Sequence, residues 1–344
     1  MMAVDALSAW DLGSTRPVPA DGGLINATWW LEADDGTRPY VLQRLNTGIF
    51  RPTVHADIEV ITGRLSAAGI PTPRLARTTS GNLWYEASDG SVWRVLSTVG
   101  NRTIARPADA TVDELRSAAQ LLARVHAALV GHTAPFAFER PGAHDTDAHV
   151  AAMVRAADAA SGHRLADAVR PLAASIAEGW ARWDGPKTLP KRVIHGDLKI
   201  SNVRFDGDRA VALIDLDTWQ WGTLDVEWGD ALRSWCNVAG EDAPQPQPDG
   251  GRAIAALRAY TAAAPDALAD EARRGGLPGM ERIAWELASR FARDVVEECY
   301  FGFDPRFGGR GEHNLIRARS QAALASEVAS ARGRWQDELE RRDP

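Results

Sequence analysis

The sequence predicts an α+β fold of two unequal lobes: a small, mostly antiparallel β-sheet carrying one helix, followed by a larger helical lobe. Short β-type runs are confined to residues 24–100, whereas apolar residues recur at three- and four-residue spacing from Asp113 onward. A chain of 344 residues fits two domains or one bilobal unit. We therefore expect an N-terminal lobe over residues 1–100 and a C-terminal lobe over residues 101–344.

The N-terminal lobe is predicted from β-type runs that enclose one helical segment. Residues 54–68 have the composition of a helix. The β-type runs lie at residues 24–31, 40–45, 82–86 and 92–99.

The C-terminal lobe is predicted from helical periodicity that is interrupted once. After the segment that starts at Asp113, helical patterns return at residues 148–184, 253–273, 279–300 and 313–340. The interruption, residues 192–217, contains two short apolar runs around the turn signal Asp206-Gly207-Asp208, which predicts a β-hairpin.

Composition excludes several classes of function. The 39 Lys and Arg against 46 Asp and Glu give a net charge of −7, whereas proteins that bind nucleic acid usually carry a basic excess. We find neither an apolar run long enough for a membrane helix nor a secretory signal. The two cysteines are too few for a disulfide framework, which is typical of a reducing compartment, and we expect a cytoplasmic protein. We expect no nucleic-acid or membrane partner, and the protein to be a monomer or a homodimer.

Polar residues flank the predicted hairpin. Asn202 precedes its first strand and Asp215 follows its second, so antiparallel pairing would place them side by side, with opposed Cα atoms about 5 Å apart. An amide oxygen and a carboxylate at that separation can share one Mg²⁺, with water and phosphate oxygens as its other ligands. Asp197 lies in the glycine-containing loop before Asn202, where a base for an attacking hydroxyl would stand. Capping of a buried turn explains any one of these residues, but not the set.

The run His-Gly-Asp-Leu-Lys-Ile-Ser-Asn at 195–202 and the run Ile-Asp-Leu-Asp at 214–217 resemble segments of the aminoglycoside phosphotransferase and choline kinase superfamily. These segments are the family's catalytic loop and its metal-binding segment. The resemblance implies a protein-kinase-like fold, ATP as phosphoryl donor and Mg²⁺ as cofactor. It also implies Asp197 as catalytic base and Asn202 and Asp215 as Mg²⁺ ligands.

Three further residues of these two runs are candidates. His195 belongs to the catalytic loop of the resemblance. Lys199 could neutralise γ-phosphate charge in the transition state, although exposure to solvent would explain it as well. Asp217 could ligate a second Mg²⁺ or be an ordinary loop carboxylate.

The nucleotide site of the resemblance falls on the N-terminal lobe. A glycine-containing turn at 22–28 would cradle phosphates, and Val95 and Leu96 lie in the strand that resembles the adenine-binding hinge. Most kinases place a lysine where this chain has Gln43 or Arg44, and strand alternation lets one of the two face the cleft. The remaining candidates for nucleotide binding are Gly23, Asn26, Thr28 and Glu59, the last matching the acid that orients the lysine or serving as a surface acid.

The acceptor site is predicted from residues of the C-terminal lobe. Arg317 and Arg319 could contact a sugar or the transferring phosphate, or be solvated on a long helix. Arg233 is a further candidate for acceptor binding. Asp230 could cap a helix, support the catalytic loop, or do both.

The acceptor is expected to be a small molecule with a hydroxyl group. Several segments are similar to N-acetylhexosamine 1-kinases, which implies a sugar or amino sugar; they lie at 40–46, 93–95, 214–218, 229–233 and 313–319. An aminoglycoside or macrolide phosphotransferase is the alternative. The missing lysine also leaves open a catalytically silent, nucleotide-binding regulator, although the retained acids oppose it.

Overall fold

The N-terminal lobe is built on an antiparallel sheet, as predicted. The computed structural model describes residues 2–20 and 25–341. The sheet has the order β1-β2-β3-β6-β4, and β5 also pairs with β6. Its strands are β1 (Thr15–Pro19), β2 (Ala27–Ala33), β3 (Tyr40–Arg44), β4 (Leu75–Ala76), β5 (Tyr85–Glu86) and β6 (Val92–Ser97).

Helices cover this sheet on both faces. The short helix α1 (Ala3–Leu7) and Trp10 pack with buried sheet residues such as Leu42 and Val95 in one apolar cluster. Helix α2 (Val54–Ala67) joins the larger core that continues into the C-terminal lobe. Because β6 is enclosed from both sides, all but its last residue are buried.

Two strands differ from the sequence-based expectation. Strand β1 was not predicted, because Pro17 and Pro19 oppose a strand; β1 pairs with β2 alone and lies at the sheet edge, where prolines are tolerated. The run at 82–86 forms only the two-residue strand β5.

The C-terminal lobe is mostly helical. The predicted hairpin is confirmed as β9 and β10, which form a sheet with β7, while β8 pairs with β11. The strands are β7 (Arg102–Thr103), β8 (Arg192–Ile194), β9 (Val203–Asp206), β10 (Arg209–Leu213) and β11 (Gln220–Gly222). The helices are α3 (Val112–Leu129), α4 (Thr146–Ala159), α5 (Ala166–Ala181), α6 (Leu224–Cys236), α7 (Gly250–Ala263), α8 (Asp266–Glu297) and α9 (Arg310–Glu340).

Two expected helix boundaries were wrong. The pattern at 148–184 is two helices, α4 and α5, separated at Gly162, whose φ of +85° favours glycine. The expected gap between residues 273 and 279 does not exist: α8 runs through it, and the break falls instead at Pro265. The glycines near Pro278 serve close packing with neighbouring segments.

Helices α6 and α8 approach each other across glycines. A Cβ atom added to Gly279 would lie 1.9 Å from the main-chain oxygen of Asp225, and one added to Gly229 would lie 2.3 Å from that of Gly279. Side chains at these positions would force the helices apart. We call Gly229 and Gly279, with the α6 and α8 backbone between them, the glycine seam.

We expect Gly279→Ala to destabilise the protein by about 2–3 kcal/mol, because the added methyl group meets backbone that cannot move aside cheaply. Urea unfolding of the full chain measures this change. Gly333→Ala in α9 is the matched control: its Cβ meets nothing within 4 Å, and better helix propensity should stabilise that variant by up to about 1 kcal/mol. Equal stability of the two variants would contradict the packing argument.

Across residues 2–20 and 25–341, none of the helices has both the length and the apolar character needed to cross a membrane.

Candidate active site

The hairpin brings the two predicted metal ligands together. Val203 of β9 pairs with Leu213 of β10, and the backbone N–H of Ile214 donates to the main-chain oxygen of Asn202 at 2.9 Å. Asn202 therefore lies beside the residue that precedes Asp215. Asp215 itself has left-handed backbone angles, φ 62° and ψ 58°. Such a conformation costs about 1–3 kcal/mol in a residue other than glycine and is typical of functional sites.

The catalytic loop is tied to this hairpin through side chains. The amide nitrogen of Asn202 donates to the main-chain oxygen of Asp197 at 2.8 Å and to its Oδ2 at 3.3 Å. The Lys199 ammonium lies 3.0 Å from Oδ2 of Asp197. The Nε2 atom of His195 lies 2.9 Å from the main-chain oxygen of Ile214. The structure thus gathers the predicted catalytic and metal-binding residues at one end of the hairpin.

Clustered charges set the ionisation of these groups. Burial alone would raise the pKa of Asp197, but Lys199, followed by His195 and Arg233, holds it below its usual value. Burial, together with the charges of Asp197 and Asp217, raises the pKa of Asp215 to about 6. An ionised Asp197 can accept a proton, and a cation beside Asp215 would favour its charged form.

Side chains of helix α6 form hydrogen bonds with the backbone of the catalytic loop. Both carboxylate oxygens of the fully buried Glu227 accept backbone N–H groups, from His195 at 2.8 Å and from Gly196 at 3.0 Å. Asp230 accepts the backbone N–H of Leu198 at 2.5 Å. Two more α6 side chains bond to the loop backbone, namely Ser234 and Trp235.

Sequence reasoning identified Asp230 but missed Glu227. Glu227 also accepts a hydrogen bond across 3.2 Å from Nε2 of the buried His126. A signal was available: Glu227, Asp230 and Ser234 recur at three- and four-residue spacing, the spacing that places side chains on one face of a helix.

Where the N-terminal sheet contacts Asp217, the site contains an arginine that the sequence reasoning did not select. Arg94 of β6 is buried and forms a bidentate ion pair with Asp217. Its guanidinium also donates to Oε1 of Gln43 at 2.9 and 2.7 Å. Burial alone would raise the pKa of Asp217, but Arg94 outweighs this and lowers it. The signal was a lone arginine inside an apolar strand, Val-Trp-Arg-Val-Leu.

The structure separates Gln43 from Arg44. Gln43 lies opposite Arg94 in the sheet register, whereas Arg44 lies opposite Trp93, so its side chain projects from the other face and is exposed. Arg44 packs 6.0 Å from the Trp93 ring. Of these two candidates, Gln43 is therefore the one that joins the cluster.

Of the other residues predicted to bind the nucleotide, Asn26 and Thr28 lie in this cluster and Glu59 does not. Asn26 donates to Asp217 at 2.8 Å, and Gln43 donates to the Thr28 hydroxyl at 3.3 Å. The structure does not bring Glu59 to this cluster; it pairs with Arg74 and Arg77 at 3.4 and 3.1 Å.

Val95 and Leu96 are buried in β6, which pairs with β3 on one side and β4 on the other, so their backbone is engaged in the sheet. Gly23 lies outside the described residues.

Two of the three arginines predicted to bind the acceptor form ion pairs near the catalytic loop, and the third does not. Arg233 is buried, pairs with Asp230 and Glu241 at 3.0 Å each, and has an Nε without a hydrogen-bond partner in the part of the chain described. Arg317 pairs with Asp242 at 2.5 Å. Arg319 is exposed on α9, and the structure does not bring it to this group.

The donor atoms present fit a hard cation completed by phosphate oxygens. Because the Asn202 nitrogen bonds to the catalytic loop, its Oδ1 is the atom left to coordinate beside the Asp215 carboxylate. Over residues 2–20 and 25–341, no group of three or more His, Cys, Asp or Glu side chains forms a metal site.

Comparisons with known proteins show which chains and folds are similar to this one. A homoserine kinase from Methylobacillus flagellatus is 26% identical over 324 residues, which covers 92% of this chain and 92% of the relative. The structure of an aminoglycoside phosphotransferase from Alicyclobacillus acidocaldarius has a TM-score of 0.64 at 18% identity and covers 98% of this chain and 97% of that one. An amicoumacin kinase in complex with AMP-PNP, Ca²⁺ and Ami has a TM-score of 0.62 at 12% identity, with 98% and 91% covered.

The two solved structures share the fold of this chain, which confirms the protein-kinase-like α+β class. The model of the phosphotransferase enzyme family matches residues 17–285 and so includes the catalytic loop, the hairpin and α6. The resemblance that the two short runs carry is thereby confirmed. The chain belongs to the phosphotransferase enzyme family, within the aminoglycoside phosphotransferase and choline kinase superfamily, and is a kinase that transfers phosphate to a hydroxyl.

Proposed function

We propose that this kinase uses ATP and Mg²⁺ to phosphorylate a hydroxyl of a small sugar or amino sugar. The observation that carries the proposal is the hairpin contact that places Asn202 beside Asp215, with Asp197 hydrogen-bonded to Asn202. These groups are what phosphoryl transfer requires: oxygen ligands for a metal and a neighbouring base. We place the activity in the cytoplasm, where ATP is available.

Asn202 Oδ1 and the Asp215 carboxylate would hold Mg²⁺. When bound, Mg²⁺ supplies charge neutralisation at the β- and γ-phosphate oxygens. Glu227 and Asp230 fix the catalytic loop through its backbone, so that Asp197 stays in place relative to these ligands.

Asp197 would orient the acceptor hydroxyl and take its proton. The hydroxyl oxygen forms a bond to the γ-phosphorus, while the bond from that phosphorus to the bridging oxygen of ADP breaks. The proton of the hydroxyl passes to the Asp197 carboxylate, whose pKa Lys199 holds low, so transfer occurs late in the reaction. The Lys199 ammonium, 3.0 Å from Asp197, is placed to offset charge on the transferring group.

The charged groups near the base are arranged in ion pairs. Arg233 is close enough to Asp197 to help lower its pKa, and Arg317 lies in the same region through the neighbouring acids Glu241 and Asp242. Because these acids and Asp230 pair with the two guanidinium groups, the choice of a sugar does not rest on repulsion of a cationic acceptor. The segments that resemble N-acetylhexosamine 1-kinases favour a sugar.

A second candidate acceptor is a hydroxy amino acid such as homoserine. The identity with a homoserine kinase extends over 92% of both chains. The buried Arg233, with one unpartnered nitrogen, offers chemistry suited to a carboxylate.

A panel of acceptors with γ-labelled ATP tests the proposal: N-acetylglucosamine, N-acetylgalactosamine, unmodified hexoses, homoserine, an aminoglycoside and a macrolide. We expect phosphorylation of a sugar, and ³¹P NMR of the product identifies the modified position. Turnover of homoserine alone would favour the second candidate. Turnover of the antibiotics alone would contradict the proposed sugar acceptor.

A further inference from the structure

Five side chains around the nucleotide side form a closed circuit of hydrogen bonds, which we call the polar ring. Asn26 donates to Asp217 at 2.8 Å, Asp217 accepts both ends of the Arg94 guanidinium, and Arg94 donates to Gln43 at 2.9 and 2.7 Å. Gln43 donates to the Thr28 hydroxyl at 3.3 Å, and Thr28 donates to the main-chain oxygen of Asn26 at 3.0 Å.

The ring joins the two lobes. Thr28, Gln43 and Arg94 lie in one row across β2, β3 and β6, with Thr28 opposite Gln43 and Gln43 opposite Arg94. Asp217, by contrast, follows the C-terminal hairpin and lies two residues beyond Asp215. The ring therefore connects the sheet of the N-terminal lobe to the segment that carries Asp215.

The central ion pair is enclosed. Arg94 and Asp217 are each 1% exposed. Both carboxylate oxygens of Asp217 accept hydrogen bonds, and Asn26 adds a third donor. Three of the roughly four lone-pair sites of this carboxylate are thus occupied, and the Arg94 guanidinium compensates its charge, which disfavours coordination of a metal.

We propose that Arg94 is a positioning residue that replaces the lysine missing from β3, and that Asp217 is its anchor rather than a ligand of Mg²⁺. The inference rests on the proposed function and adds to it. Through the polar ring, Arg94 holds the segment with Asp215 and Asp217 against the sheet. The cleft that would bind ATP is therefore already formed before ATP binds. Asn202 and Asp215 are then the protein ligands of the metal.

The test is calorimetric titration of ATP, with and without Mg²⁺, into the full chain and three variants: Arg94→Gln, Asp217→Asn and the double variant. Each single change leaves one buried charge unpaired, so we expect affinity for Mg²⁺-ATP to fall about tenfold or more. In the double variant two neutral amides can pair, and the affinity should lie closer to that of the wild type than in either single variant.

The gain in ATP affinity on adding Mg²⁺ separates an anchor from a ligand. An anchor predicts that this gain stays within about threefold of the wild type in Asp217→Asn and in the double variant, because the metal ligands remain. Asp215→Asn, tested in parallel, should lose most of the gain. Arg38→Gln, which removes an exposed arginine that pairs with Glu32 in the same sheet, should bind ATP normally.

Each outcome supports or contradicts the roles proposed for Arg94 and Asp217. If Asp217→Asn and the double variant lose the Mg²⁺ gain as Asp215→Asn does, Asp217 is a ligand and the inference is wrong. Single variants that bind ATP like the wild type would show that the polar ring has no positioning role. If the single variants do not fold, as judged by circular dichroism, the double variant gives the Mg²⁺ comparison by itself. A wild-type chain that binds no ATP would overturn the proposed function as well.

Discussion

Replacing Asp197 by asparagine should lower kcat by about 10²- to 10⁴-fold, the usual contribution of a positioned general base. The amide keeps the size of the side chain, but it cannot take the proton of the acceptor hydroxyl. Asp197 is not among the groups that we expect to bind the metal, so the ATP dissociation constant should change little. Steady-state turnover with the acceptor found in the panel, together with calorimetric titration of ATP, measures both effects.

Asp113→Asn is a suitable control for this experiment, because Asp113 is exposed and pairs with Arg116 on α3. That variant should turn over like the wild type. A normal kcat in Asp197→Asn would remove the base from the mechanism.

Replacing Asp215 by asparagine should act on a different step. Removing a charged metal ligand costs several kcal/mol of charge stabilisation, which corresponds to a fall in kcat/KM of about 10³-fold. In contrast to Asp197→Asn, much of this loss should appear as weaker binding of Mg²⁺-ATP. Titration over a range of Mg²⁺ concentrations measures it.

The Asp215 variant should remain folded, and this is its internal control. Asp197, Asp215 and Asp217 form an acidic cluster, and removing one charge relieves repulsion in the protein without metal. We expect urea unfolding at the same or a higher denaturant concentration than the wild type. An unfolded variant, or one with normal Mg²⁺-ATP binding, would contradict the assignment of Asp215 as a ligand.

The hairpin could be predicted from the sequence because its determinants are local. Two apolar runs around Asp206-Gly207-Asp208 predict the pairing, and a one-residue register shift between Ala210 and Ala212 brings Asn202 beside Ile214, the neighbour of Asp215. The catalytic loop follows directly before the first strand. Short-range patterns therefore sufficed for the centre of the candidate site and for the fold class.

Contacts between distant segments could not be read in this way. Arg94 and Asp217 are 123 positions apart, and Glu227 is 32 positions from His195. Periodicity identifies which residues are buried, but not which buried polar side chains meet. The same holds for the glycine seam, because the α6 backbone that Gly279 packs against is far away in sequence.

The glycine seam links the stability of this kinase to its chemistry. Helix α6 both packs through Gly229 against α8 and carries Glu227 and Asp230, which hold the catalytic loop. A bulkier residue in the seam would leave every reacting group chemically intact, but it would shift the loop that carries Asp197. Temperature-sensitive alleles of this kinase should therefore concentrate at the seam, far from the residues that a search for inactive mutants would select first.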